Sequence, residues 1–256
     1  VTALRYFTDR AAGLLVATGL SSFLAYSLSR WLGARADPPA GPVPLAGDQL
    51  QLALVVVAAG AALAALIGIR HHRRAGRDLW VTAARSPLRL HCTELAAVAV
   101  PVLGSWLVYL AVTSVRYGSA HELAPALAVQ LMSVLALATG IALGQYLALA
   151  VPVSVAVPAA FAAGYVGTGF VSGAGDDYWW QWLGPGFGDG MQSPVHAAWL
   201  AGEVLWFGGV TAGILLLAAR RSAPGRATPR LPAAVTGAAL LAGAVLLFVN
   251  GDDATG

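Results

Sequence analysis

Lysine is absent: all 15 basic residues of the 256-residue chain are arginines. Within these residues that excludes chemistry built on a lysine amine, such as a retinal or pyridoxal Schiff base or the phosphate-loop lysine of an ATPase. Cysteine is almost as scarce. Cys92 stands alone, so a disulfide scaffold is excluded. Charge is sparse too, at 11% of residues, against about 25% in soluble domains. Metal and catalytic signatures are also missing. There is no His-Glu-x-x-His pattern, and His71 and His72 are neighbours that point to different faces of a helix, a poor chelate. Ser172-Gly173 loosely matches an intramembrane serine protease, but no histidine sits at depth in a later helix to act as base. No catalytic or metal-binding residue is assigned, and the chain is read as a non-enzyme. The basic loop 70–91 has one Trp, Trp80, and faces lipid, which gives nucleic-acid binding little support.

Apolar length is abundant. Hydrophobic residues make up 58% of the chain and the mean hydropathy is +0.71, which places it in the membrane class rather than among soluble enzymes or disordered tails. A helix needs about 20 mainly apolar residues to cross a hydrocarbon core of ~30 Å. Seven stretches qualify: roughly 11–29, 51–69, 92–114, 123–147, 149–171, 198–219 and 232–250. A spanning barrel would need alternating segments, whereas Leu52 to Ile69 is apolar on every face. Pro152 falls where the fifth helix begins, and Ser86-Pro87 reads as the N-cap and first residue of the third. The expected fold is an all-α polytopic transmembrane bundle of about seven spanning helices.

Arginine placement orients it. With a cytoplasmic N-terminus, one side holds Arg5, Arg10, Arg70, Arg73, Arg74, Arg77, Arg85, Arg89, Arg220, Arg221, Arg226 and Arg230, and the other only Arg30, Arg35 and Arg116. Basic residues in short loops favour the cytoplasmic side. The acids Asp37, Asp48, Glu122, Asp176, Asp177, Asp189, Asp252 and Asp253 then fall outside, as does the C-terminus. A second reading makes residues 1–36 a secretory signal cleaved after Ala34-Arg35-Ala36, but the apolar stretch is longer than the usual ~7–15 residues and Arg30 interrupts its end.

The loop 70–91 is the most informative segment. Leu79, Trp80, Ala83 and Ala84 share one face of a two-turn helix, with Asp78 at its positive dipole end and Arg85 at its negative one. One reading is that its arginines fix topology and touch lipid headgroups. The other comes from likeness. Gly76, a short helix, then Arg85, Ser86, Pro87, Leu88 and Arg89 before a new apolar run resembles the loop between helices two and three of type-2 ABC exporter permeases. The resemblance covers about 1–221, including the short first loops and the long external segment between helices five and six. It implies that Gly76, Arg77, Asp78, Trp80, Arg85, Pro87 and Arg89 form a coupling helix docked on a separate ATPase subunit. That subunit would bind the ATP and Mg²⁺; this chain would hold no cofactor. A second permease copy, identical or not, would complete the pathway in a bacterial plasma membrane. The chain departs from the family in its short start, Val1 to Arg10, and in residues 222–256, a linker plus an extra seventh helix ending outside.

Residues 172–197 carry Asp176, Asp177, Tyr178, Trp179, Trp180, Gln181 and Trp182 before a Gly/Pro-rich turn. An aromatic belt at headgroup level explains such residues; the resemblance instead implies a re-entrant cap in which Trp179, Trp180 and Trp182 gate the exit. Charge at bilayer depth is costly, so Glu203 stands out. With His196 seven residues earlier on the same face, it forms a proton-linked pair or part of a cargo path, or else it is a shallow group near Trp199 that reaches interfacial water or is simply protonated. Gln130, Gln145 and Glu94 read as polar links between helices, and Gly140-x-x-x-Gly144 and Gly209-x-x-x-Gly213 permit close helix contact. Two alternatives to the ATP-driven permease remain: a proton-coupled transporter or membrane enzyme using Glu203 and His196, and an anchor for an external C-terminal domain.

Overall fold

The computed structural model of the chain describes residues 57–69, 86–99, 123–173, 197–223 and 230–250. These form six helices and no strand: α1 (Val57–Ile69), α2 (87–99), α3 (Leu123–Ala150), α4 (Val153–Gly173), α5 (Ala197–Ser222) and α6 (Arg230–Asn250). Each overlaps one of the second to seventh apolar stretches, the second and third only in part because 51–56 and 100–114 lie outside the described residues, as does the first, 11–29. Two of them, Ala198–Ser222 and Arg230–Val249, are long and apolar enough to cross a membrane by length and composition.

The helix boundaries follow local chemistry. Ser86 supplies the carbonyl that accepts the Leu90 N–H at 3.3 Å, and Pro87 occupies the first turn, where its missing N–H costs nothing. Between α3 and α4 only Val151 and Pro152 intervene. The Pro152 carbonyl accepts both the Val155 and Ala156 N–H groups at 3.0 Å, so the proline caps α4 from just outside it rather than filling its first position.

Cross-contacts fix the relative directions. Gly140 and Gly144 of α3 face Val57 and Ala61 of α1 in the same order, so these two helices run parallel. Gly164 lies against Ala58 and Ala61 while Ala156 packs with Ile69, so α4 runs antiparallel to α1. His91 of α2 meets Gln145 while Ala97 and Val98 share a cluster with Ala136 and Leu137, so α2 is antiparallel to α3. Thr139 pairs with Thr211 and Leu149 with Arg221, each 72 residues apart, which makes α3 and α5 parallel. Finally Gly202, Gly209 and Gly213 face Leu246, Leu240 and Thr236 respectively, so α6 returns antiparallel to α5. The described helices therefore alternate in direction along the chain.

The core lies around α1, where Ala58, Ala61, Ala64 and Ala65 are fully buried. A Cβ added at Gly144 would run into the Ala61 carbonyl oxygen, and one at Gly140 would sit 3.2 Å from the Val57 carbonyl oxygen. The glycines let the α1 and α3 backbones touch, a role of small residues at helix interfaces. Far from α1 the pattern inverts: Leu231, Val235, Leu241, Val245, Phe248 and Val249 of α6 all point outward and are exposed.

Candidate functional site

Alternation gathers the end of α1, the start of α2, the end of α3, the start of α4, the end of α5 and the start of α6 at one end of the bundle. All four arginines among the described residues, Arg89, Arg220, Arg221 and Arg230, sit at this end. Arg89 is exposed in the first turn of α2, beside the partly exposed Pro87, and its carbonyl accepts a 2.7 Å hydrogen bond from Thr93 Oγ1. Arg221 reaches across to α3. Its Nε donates to the Leu149 carbonyl at 3.1 Å and a terminal nitrogen donates to that of Ala150 at 3.4 Å. A cation here satisfies carbonyls that the last helical turn leaves open, and it suits the negative end of the helix dipole.

Beneath this basic rim lies a buried polar cluster joining α2, α3 and α5. His91, Glu94 and Gln145 are each at most 2% exposed. His91 Nε2 lies 3.2 Å from Ser222 Oγ, and Ser222 Oγ also donates to the Ala219 carbonyl at 3.0 Å. Gln145 Nε2 donates to the His91 carbonyl at 3.3 Å. His91 Nδ1 is 3.8 Å from Glu94 Oε2. Gln145 thus links helices, as its sequence position suggests, and Glu94 belongs to the same knot. Gln130 also lies on α3, but its side chain lies outside what is described.

Sequence reasoning missed His91 and Ser222. His91 reads as the last residue of the arginine loop, and Ser222 lies 131 residues away in sequence. The available signal was the histidine's place one turn before Glu94, on the same face of a helix opened by Ser86-Pro87.

Glu203 sits toward the opposite end, in the second turn of α5, and is 0% exposed. The side chain is enclosed by its neighbours. At helical spacing it shares a stripe with the buried Phe207 and Ala218, and with Thr211, whose hydroxyl lies 2.9 Å from that of Thr139 on α3. Of the proposed coupling residues, Pro87 and Arg89 are placed at the mouth of α2. Gly76, Arg77, Asp78, Trp80 and Arg85 lie outside the described residues, as do Trp179, Trp180, Trp182 and His196. Among the described residues no group of three or more His, Cys, Asp or Glu side chains is placed to hold a metal ion.

No protein-family model, curated protein or solved structure matches the chain.

Proposed function

We propose that the chain is the membrane-spanning permease subunit of an ATP-driven exporter, driven by a separate ATPase subunit through residues 76–91. The observation that carries this reading is the gathering of Arg89, Arg220, Arg221 and Arg230 at one end of an alternating helical bundle, the end where α2 emerges from that segment. Short-loop arginines stay cytoplasmic, so the same end is the one an ATPase would meet. Outward-facing Leu241, Val245 and Phe248 on α6 suit a hydrocarbon surround, and an apolar exterior of this kind would be unstable in water.

In this reading seven helices cross the plasma membrane of a bacterium, with the N-terminus inside and the C-terminus outside. ATP and Mg²⁺ bind the partner, whose closure pushes on Gly76 to Arg89. The push enters α2 at Pro87 and opens a path between two permease copies. Trp179, Trp180 and Trp182 cap the external exit.

The deciding experiment places a single cysteine at position 80 in a Cys92→Ser background and treats intact cells with a membrane-impermeant thiol reagent. Labelling only after lysis is expected, together with co-purification of an ATPase subunit. Labelling of intact cells would invert the topology and end the proposal. A second reading, proton-coupled transport, draws on the full burial of Glu203, since intramembrane carboxylates mark proton paths. Glu203→Gln separates the two: proton-coupled transport loses its pH dependence, and ATP-driven transport keeps its rate.

A further inference from the structure

We propose that the opening between the end of α5 and the start of α6 holds the headgroup of an anionic phospholipid, gripped by Arg220 and Arg230. The site rests on these two helices crossing a bilayer and not on what drives transport. Both are long and apolar enough to cross one.

Their packing changes along its length. An added Cβ at Gly243 would lie 2.6 Å from the Trp206 backbone nitrogen, and one at Gly209 would lie 3.2 Å from that of Leu240. Backbone meets backbone over this stretch. One turn past Gly209, an added Cβ at Gly213 would meet only the Thr236 methyl carbon, at 3.7 Å, so the helices part toward the arginine-bearing end. Arg220 lies seven residues past Gly213, two turns along the same face of α5. That face is turned toward α6, and yet Arg220 is exposed. Arg230 begins α6, six residues before Thr236, and is exposed too. At the rise of an α-helix both cations stand about 9–10 Å beyond the Gly213–Thr236 contact, at one level, one on each helix.

Charge and polarity together name the occupant. Arg221, next to Arg220, is turned to α3, where it donates to the Leu149 and Ala150 carbonyls. Arg220 and Arg230 have no such engagement among the described residues. The only carboxylates among those residues, Glu94 and Glu203, are buried, so the exposed surface described at this end carries cations and no anion. Next to these cations Leu217, Leu231 and Val235 are each more than half exposed. A ligand that satisfies both features joins a negative head to apolar tails. Guanidinium forks match phosphate oxygens, and a headgroup with its own ammonium would set a third cation against them. An anionic phosphodiester with acyl chains, as in phosphatidylglycerol, fits; a soluble phosphate leaves the apolar side chains uncovered.

The test uses the full chain in neutral detergent, with equimolar phosphatidylglycerol and phosphatidylcholine added and the retained lipid counted by native mass spectrometry. Preferential retention of phosphatidylglycerol is expected, weakening as salt screens the contact. Arg220→Gln and Arg230→Gln are each expected to weaken it roughly fivefold, the worth of one arginine beside an anionic surface. Arg220→Lys, which keeps the charge, recovers most of that loss. Arg221→Gln leaves retention nearly unchanged, because its guanidinium is held by α3 carbonyls. All three side chains are exposed, so the variants keep the fold. Equal losses at positions 220, 221 and 230, or no preference for phosphatidylglycerol, would overturn the site. So would displacement of the lipid by glycerol phosphate, which has the charge without the chains, or by a second copy of the chain in dimers that retain none. A chain that stays in solution without detergent would remove the membrane-spanning reading itself, and the site with it.

Discussion

The helices around α1 and the pair α5–α6 are all apolar in sequence yet solve opposite packing problems. α1 is enclosed: four of its six alanines are fully buried and its backbone lies against Gly140 and Gly144 of α3 and Gly164 of α4. α6 packs against α5 and turns Leu231, Leu241 and Phe248 outward. The difference lies in side-chain size. Where glycine and alanine line a face, backbones meet and the helix goes inside; where leucine, valine and phenylalanine line it, the face is left for a surrounding solvent of its own polarity. Hydropathy alone cannot separate these outcomes, because an alanine stripe and a leucine stripe both count as apolar.

Four tests of that contrast run in falling order of effect. Gly144→Leu would drive a side chain into the Ala61 backbone, and a loss of roughly 3 kcal/mol or more is expected, read as failure to yield monodisperse protein in detergent. Leu137→Ala comes next. The side chain is 1% exposed, and its truncation should cost about 2–5 kcal/mol by denaturant titration, whereas Leu241→Ala, at 71% exposure, should stay within about 0.5 kcal/mol. Similar losses at both positions would abolish the distinction between core and surround. Thr139→Val removes one member of the α3–α5 hydroxyl pair and should cost about 0.6 kcal/mol, with Thr211→Val adding little in the double variant. Smallest is Gly208→Ala. Nothing lies within 4 Å of an added Cβ, so the change should be neutral or mildly stabilising in the same titration, opposite in sign to Gly144→Leu.

Much of the fold was legible because helix length and helix breaks are local properties. The stretches from 51–69 to 232–250 each overlap a described helix, 92–114 only as far as residue 99, and Ser86-Pro87 and Pro152 mark starts through the chemistry of a residue that lacks an N–H. Gln145 was readable as a link because a primary amide deep in an apolar run must find a partner. Its partner was not readable, since the His91 carbonyl is brought to it only by packing. Which face of an all-round apolar helix turns inward is equally nonlocal. Glu203 illustrates the point: one turn from an end, it could face an interface or the bundle, and only its neighbours put it inside. The Gly140 and Gly144 pair was visible as a motif, but a chain with 30 glycines offers many such pairs; the close approach to Val57 and Ala61 is what distinguishes this one.

The parallel pair α3 and α5 is pinned at two heights, by Thr139 with Thr211 and by Leu149 with Arg221. The rungs are ten residues apart on each helix, about 15 Å of rise. Two ties at that spacing resist both sliding and pivoting, so the two helices hold one register along that length.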